Sequence, residues 1–214
     1  MKFNFLKRCF TGVILFIIIY ISLTNNLILF LLFIAITFIA LTEVNNLLKN
    51  IYKNKIFYFC FYLLCVTYLT IFLSQIFFFI ISNSGNKLLF IFFLSICIST
   101  DLGGYFIGKL FQGKKLTKIS PNKTYSGLIG SYLFTLITFI YFYYQFNYPL
   151  NFIFVALFVS TISQIGDLFV SYIKRRANVK DTGYFLPGHG GILDRVDGII
   201  FAIPISINFH FIFI

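Results

Sequence analysis

Between Lys174 and Asp197 the chain reads KRRANVKDTGYFLPGHGGILDRVD, a polar stretch inside a sequence that is otherwise close to hydrocarbon. Lys174, Arg175, Lys180 and Arg195 are groups that neutralise phosphate, arginine through a two-pronged fork and lysine as a point charge. Asp181, Asp194 and Asp197 offer the hard carboxylate oxygens that Mg2+ takes together with phosphates. Gly188, Gly190 and Gly191 let the backbone approach a ligand closely, and exposed N–H groups in such a turn cradle phosphate oxygens. The mixture points to a metal-assisted phosphate site; the glycines alone would not. His189 stands without a cysteine or second histidine nearby, a poor zinc set, so its expected work is to orient the pocket or touch a phosphate.

Only six acidic residues occur, and two lie at or in apolar runs: Asp101 in CISTDLGGYFIGK and Asp167 in STISQIGDLFVSYIKRR. An ionised group at membrane depth costs from about 2.5 kcal/mol upward and normally marks function, the alternative being an ion pair or hydrogen bond that joins helices. Glu43, beside Asn45 and Asn46 at the end of an apolar run, reads as an interfacial residue. If the helix carrying Asp167 continues past the membrane, Gln164, Asp167, Ser171, Lys174 and Arg175 recur along one stripe. A second polar stretch, GKLFQGKKLTKISPNKTYSG, adds cations, with a turn at Ser120-Pro121 and Lys123-Thr124 just before an apolar run. It reads as a loop binding phosphate or anionic lipid, or as a basic loop that sets topology.

These residues need a scaffold, and composition names it. The 214 residues are 59% hydrophobic and 11% charged, against about 25% charged in a soluble domain. Mean hydropathy is +0.93. Apolar segments fall at 9–24, 27–41, 56–82, 88–108, 127–145, 150–170 and 199–214, and a bilayer-spanning helix needs about 20 such residues. The expectation is an all-α, polytopic integral membrane helix bundle of about seven transmembrane helices. The first segment resembles a signal peptide but lacks a small-residue cleavage site, so it is expected as a retained span. With the N-terminus cytoplasmic, every lysine and arginine except Lys87 falls on one side, as the positive-inside rule requires. Splitting 56–82 into two spans would destroy that alternation. Loops 109–126 and 171–198 then face the cytoplasm, and the chain divides into N-terminal spans (1–94) and a catalytic membrane region (95–214).

The net charge of +11 suits topology and anionic headgroups, with no nucleic acid implied. Cys9, Cys60, Cys65 and Cys97 lack metal-ligand spacing and read as small hydrophobes. Pro204 can kink the last segment, and His210 has no partner to name. A transporter would set its ionisable residues near the bilayer midplane; here they cluster in a loop.

The string Ser171-Tyr172-Ile173-Lys174-Arg175, then Lys180-Asp181-Thr182-Gly183, then Leu186-Pro187-Gly188-His189-Gly190-Gly191-Ile192-Leu193-Asp194-Arg195-Val196-Asp197 resembles, with spacing intact, the signature of phosphatidate cytidylyltransferases (CDP-diacylglycerol synthases). Gln164-Ile165-Gly166-Asp167 agrees with it. Ser120-Pro121-Asn122-Lys123-Thr124-Tyr125-Ser126-Gly127 is similar to the family's S-P-K-K-T-W-E-G, and Asp101–Lys109 to its D-x-x-A-Y-x-x-G-[RK]. Together these cover roughly residues 95 to 200. The sequence departs at Tyr125 for tryptophan, Ser126 for glutamate and Gly198 for serine, and the chain is shorter than typical members. Ser126 puts any role of that acid in doubt.

The resemblance implies an enzyme of phospholipid biosynthesis that joins CTP to phosphatidic acid, giving CDP-diacylglycerol and pyrophosphate. It would work in the lipid bilayer of the bacterial inner (plasma) membrane, with the active site facing the cytoplasm. It implies a metal centre on Asp167 and Asp194 supported by Asp197, with Mg2+ as cofactor and a second cation, monovalent or divalent, as an option. Lys174, Arg175, Lys180 and Arg195 would neutralise phosphates beside Asp181, and the His189 loop with Gly188, Gly190 and Gly191 would shape the pocket. Ser120, Lys123, Thr124 and Ser171 would bind substrate. A homodimer is a family-level expectation. A CTP-dependent lipid kinase is the rival enzyme, without reason to carry the whole string. The CDP-alcohol phosphatidyltransferase pattern begins at Asp197-Gly198 but is not continued by Ile199-Ile200-Phe201-Ala202.

Overall fold

The computed structural model describes residues 14, 17–117, 120, 123–185 and 190–213, with side chains described except at 84 and 210–213. Residues 17–24 are helical, and seven named helices follow: α1 Asn26–Ile51, α2 Lys55–Ser82, α3 Ser84–Phe111, α4 Tyr125–Phe146, α5 Phe152–Arg176, α6 Leu193–Val196 and α7 Ile199–Phe213. An isolated β-bridge pairs Lys115 with Thr124. The protein is an all-α integral membrane protein. Five helices, α1 to α5, are long and apolar enough to cross a membrane, and the 15-residue α7 is a shorter apolar helix. At 26 to 28 residues, α1, α2 and α3 rise about 40 Å, more than the roughly 30 Å of hydrocarbon. Exposed apolar side chains such as Leu27, Ile56 and Phe78 line them, as suits a lipid surrounding.

Each expected apolar segment that falls on described residues is helical, and 56–82 is one unbroken helix. The helices run past the apolar segments into the polar flanks. The second ends at Ile51 rather than 41, so Glu43 lies inside α1 rather than at its end. Once a helix is nucleated, Glu, Asn, Leu and Lys extend it at little cost. Chain breaks are set by asparagine and threonine caps. Asn25 Oδ1 accepts from Leu27 N at 2.9 Å, Asn54 Oδ1 from Ile56 N at 2.9 Å, and Thr124 Oγ1 from Gly127 N at 3.1 Å, each satisfying a first-turn N–H. Asn147 closes α4 in the left-handed conformation, φ 54°.

The chain forms two compact units, one of residues 1–83 with 173–196 and the other of 84–172 with 197–214. In the first, α1 packs on α2, with the Tyr58 hydroxyl donating to Asn45 Oδ1 and Tyr52 stacked on Phe61. In the second, α3 packs on α4 and α7 around Phe92, Phe93, Ile96, Val159, Ile203 and Ile207, all buried.

The α3–α4 contact is built from missing side chains. A methyl on Gly127 would stand 2.8 Å from the Gly104 carbonyl oxygen, and one on Gly130 would stand 2.6 Å from that of Gly103. Close backbone approach of this kind is how helices associate where lipid removes the hydrophobic drive. Beside the crossing, hydroxyls join three helices. Thr100 Oγ1 donates to Ser160 Oγ at 2.9 Å and lies 3.1 Å from Thr135 Oγ1, while Ser131 Oγ donates to the Thr100 carbonyl at 2.8 Å.

Gly130→Ala is therefore expected to cost about 1–3 kcal/mol through overpacking. Gly85→Ala, with open space around it, is expected to leave stability unchanged or slightly raised. Thermal unfolding of both variants in one detergent checks the contrast.

Candidate active site

In the unit of residues 84–172 with 197–214, a cavity of about 300 Å3 opens beside the α3–α4 crossing. Thr100, Asp101 and Gly104 reach it from α3, Gly127 and Ser131 from α4, and Gln164 and Asp167 from α5. Ser120, Lys123 and Thr124 reach it from the connecting loop. That loop folds back on itself: Leu116 N donates to Lys123 O at 2.8 Å, Tyr125 N to Lys114 O at 3.0 Å and Lys123 N to Ser120 O at 3.1 Å. Lys123 Nζ forms an ion pair with Asp167 Oδ2, and Ser171 Oγ donates to Asp167 Oδ1 at 3.4 Å. Both partners of the pair stay about a quarter exposed, so a ligand in the cavity can reach them. Ser126, at the family's glutamate position, lies 2.9 Å from Thr124 Oγ1 and accepts from Gly113 N at 3.3 Å, stitching the two ends of the loop with a hydroxyl.

In the other unit a second cluster forms around Asp194. The end of α5 turns at Asn178, φ 55°, after Ala177 N donates to Ile173 O at 2.9 Å and before Val179 N donates to Lys174 O at 3.0 Å. Lys174 Nζ then meets Asp194 Oδ1 at 2.8 Å, with only 12% and 6% of the two side chains exposed. Asp194 Oδ2 accepts from Thr182 N at 2.8 Å, Gly191 N at 3.0 Å and Thr182 Oγ1 at 3.1 Å. Gly190 permits this wrap by its positive φ of 81°, a conformation side chains resist. Burial pushes the Asp194 carboxyl up. The Lys174 hydrogen bond, the Thr182 N–H, the Lys174 charge and the Gly191 N–H outweigh it and hold the group below its ordinary value.

Glu43 is the residue that the sequence reading missed. It is 4% exposed and accepts from Thr182 Oγ1 at 2.7 Å, Ile192 N at 2.8 Å and Leu193 N at 2.9 Å. A lone carboxylate within an apolar helix was the available signal; its partners, about 150 residues away, were not visible.

Of the expected residues, Ser120, Lys123, Thr124 and Asp167 line one cavity with Ser171 beside them. Lys174, Gly191 and Asp194 form the second cluster, with Gly190 against it. Arg175, Lys180, Asp181 and Arg195 are exposed in that unit, and Arg175 Nη1 donates to Val179 O at 3.4 Å. Asp197 Oδ1 accepts from Gly198 N at 3.0 Å. Gly188 and His189 lie outside the described residues, as do Cys9 and the N-terminal basic tail. Among the described residues no three His, Cys, Asp or Glu side chains gather as a metal-binding group.

Because the Asp194 pKa is lowered in the folded chain, its contribution to stability is present above the ordinary carboxylate value, about 4. It is lost as pH falls through the lowered one. In metal-free buffer, acidification from pH 6 to pH 3 should lower the unfolding midpoint more in the wild type than in Asp194→Asn. Equal losses would contradict this.

A sequence model of the cytidylyltransferase family matches residues 49–213, a stretch that holds both clusters apart from Glu43. A phosphatidate cytidylyltransferase of Bacillus subtilis (strain 168) is 43% identical over 122 residues, 55% of this chain and 45% of that protein. One of Rickettsia typhi (strain ATCC VR-144 / Wilmington) is 37% identical over 137 residues, 59% of this chain and 60% of that protein. One of Staphylococcus haemolyticus (strain JCSC1435) is 38% identical over 176 residues, 80% of this chain and 65% of that protein. The chain thus spans about half to two thirds of the length of the curated relatives it matches. With most of its length matched, and its acid–lysine pairs inside the match, the chain belongs to the cytidylyltransferase family.

Proposed function

We propose that the protein transfers the cytidylyl group of CTP to phosphatidic acid, forming CDP-diacylglycerol and pyrophosphate. The observation that carries the reading is the pairing of two signature acids with lysines, Asp167 with Lys123 and Asp194 with Lys174. A lysine held by a carboxylate is a cation fixed in place without a bound phosphate, ready to turn toward one. A phosphatidate monoester oxygen attacks the α-phosphorus of CTP, forming one P–O bond. The bond from that phosphorus to the α–β bridging oxygen breaks, and its electron pair leaves with pyrophosphate. The attacking oxygen is already largely ionised near neutral pH and needs no proton removed. Positioning and charge neutralisation are therefore the work required.

Lys123, with Ser120 and Thr124, would hold a substrate phosphate in the cavity they line. Arg175, Lys180 and Arg195, all exposed, would meet the triphosphate of CTP arriving from water. Lys174 would neutralise a phosphate next to Asp194. Mg2+ belongs to the same reading. Asp167, about a quarter exposed, offers hard oxygen donors that would hold it, with Asp197 of the same unit in support. In the other unit Asp194 would offer such oxygens only by giving up the lysine and N–H groups that now fill them. When bound, the metal would neutralise charge on the phosphate oxygens. The reading sets the site at the cytoplasmic face of the bacterial plasma membrane, where soluble CTP meets a lipid headgroup, and includes a homodimer.

Membranes carrying the protein should convert CTP and phosphatidate to CDP-diacylglycerol, and EDTA should stop the reaction. Asp167→Asn and Asp194→Asn should each lower turnover about 100-fold or more while still inserting. Near-normal turnover of either variant would remove that residue from the site, and no product from folded wild type would overturn the proposed reaction.

A further inference from the structure

Glu43 stands apart from both clusters in sequence, yet the backbone around Asp194 is organised on it. Its Oε1 takes the Ile192 N–H at 2.8 Å and its Oε2 the Leu193 N–H at 2.9 Å. These N–H groups open the short helix α6, which carries Asp194, and have no partner within that helix. The Thr182 hydroxyl has a single proton and faces two carboxylates, Glu43 Oε2 at 2.7 Å and Asp194 Oδ2 at 3.1 Å. Glu43 takes the shorter share. Held there, Thr182 directs its own N–H at Asp194 Oδ2 from 2.8 Å.

The surrounding space is as restrictive as the hydrogen bonds. A methyl on Gly183 would come 2.9 Å from Glu43 Oε1, and one on Gly191 would overlap both Thr182 Oγ1 and Glu43 Oε2. The two glycines are the means by which the backbone at 183 and 191 comes this close to the carboxylate. An acid at 4% exposure is costly to bury and is tolerated only with its lone pairs filled. Here the loop that fills them is the one that presents Asp194.

From this geometry, and resting on the proposed cytidylyl transfer, we infer that Glu43 is a positioning residue: its carboxylate fixes Thr182 and the backbone at Ile192 and Leu193 so that Asp194 and Lys174 are held in register. Glu43 touches no substrate in this account. It acts through Thr182 and the Ile192 and Leu193 amides.

The test uses the full chain in lipid nanodiscs, with two readouts. Glu43→Gln keeps the shape but turns an NH2 group toward donors. Hydrogen exchange of the peptides covering 179–185 and 190–196 should quicken about tenfold or more, while α2 and α4 exchange as before. Turnover per folded molecule should fall about 10- to 100-fold, with KM for CTP within about threefold. Thr182→Val should reproduce the exchange change and much of the turnover loss, and Thr182→Ser, which restores the hydroxyl, should recover most of both. The double variant Glu43→Gln with Thr182→Val should be little worse than Glu43→Gln alone, since the two act through one link.

Uniformly faster exchange along the whole chain would reduce Glu43 to a general stability residue and overturn the inference. Unchanged exchange at 190–196 in Glu43→Gln would overturn it too. If Glu43→Gln does not fold, the Thr182 pair decides by the same measures. If wild-type protein is folded but makes no CDP-diacylglycerol, the proposed reaction fails by itself, and the exchange data alone decide whether Glu43 holds the loop.

Discussion

An ionised carboxylate beside hydrocarbon persists only when its charge and lone pairs are met, because an uncompensated one costs several kcal/mol. That constraint shapes both clusters of this protein. Asp194 collects an ammonium, two backbone N–H groups and a share of a hydroxyl. Glu43 collects two N–H groups and the same hydroxyl. Asp167 takes Lys123 and Ser171, and Asp197 takes the following N–H. The loops are bent to deliver these donors, so compensating the acids and building the site are one event.

The membrane sets the second condition. Lipid offers helices no hydrophobic reason to associate, and they are joined instead by close backbone packing and interhelical hydrogen bonds. The glycines of α3 and α4 supply the first, and Thr100, Ser131, Thr135 and Ser160 the second. Thr100, Gly104, Gly127 and Ser131 also line the cavity that holds Lys123 and Asp167. The residues that allow helices to touch are those that leave a polar hollow beside the contact. The cavity of about 300 Å3 sets Lys123, Asp101, Asp167 and several hydroxyls among apolar walls that include Leu116 and Leu128.

Much of this was legible in the sequence because it depends on local order. Apolar runs located the helices. The stripe through Gln164, Asp167 and Ser171 holds, since α5 continues unbroken to Arg176 and Ser171 reaches Asp167. Ser120, Lys123 and Thr124 stand together in the chain before α4, so their lining one cavity follows from local order. Other features arise from pairings between distant residues, which periodicity does not encode. Glu43 looked interfacial beside Asn45 and Asn46, while its partners Ile192 and Leu193 lie 149 and 150 positions away. Small residues of the α3–α4 crossing stood in plain view as Gly104-x-x-x-Gly108 and Gly127-x-x-x-Ser131. Small residues at that spacing declare a contact face without naming the partner helix.

Cytidylyl transfer as proposed moves the nucleotide's α-phosphorus to the lipid. Supplying CTP labelled at the α-phosphate in one reaction and at the γ-phosphate in another, with phosphatidate and membranes carrying the protein, tests it most directly. The expected result is α-label in the organic phase as CDP-diacylglycerol and γ-label remaining in water as pyrophosphate. γ-Label entering the lipid would contradict it and make the protein a kinase; a lipid product free of α-label would contradict it as well.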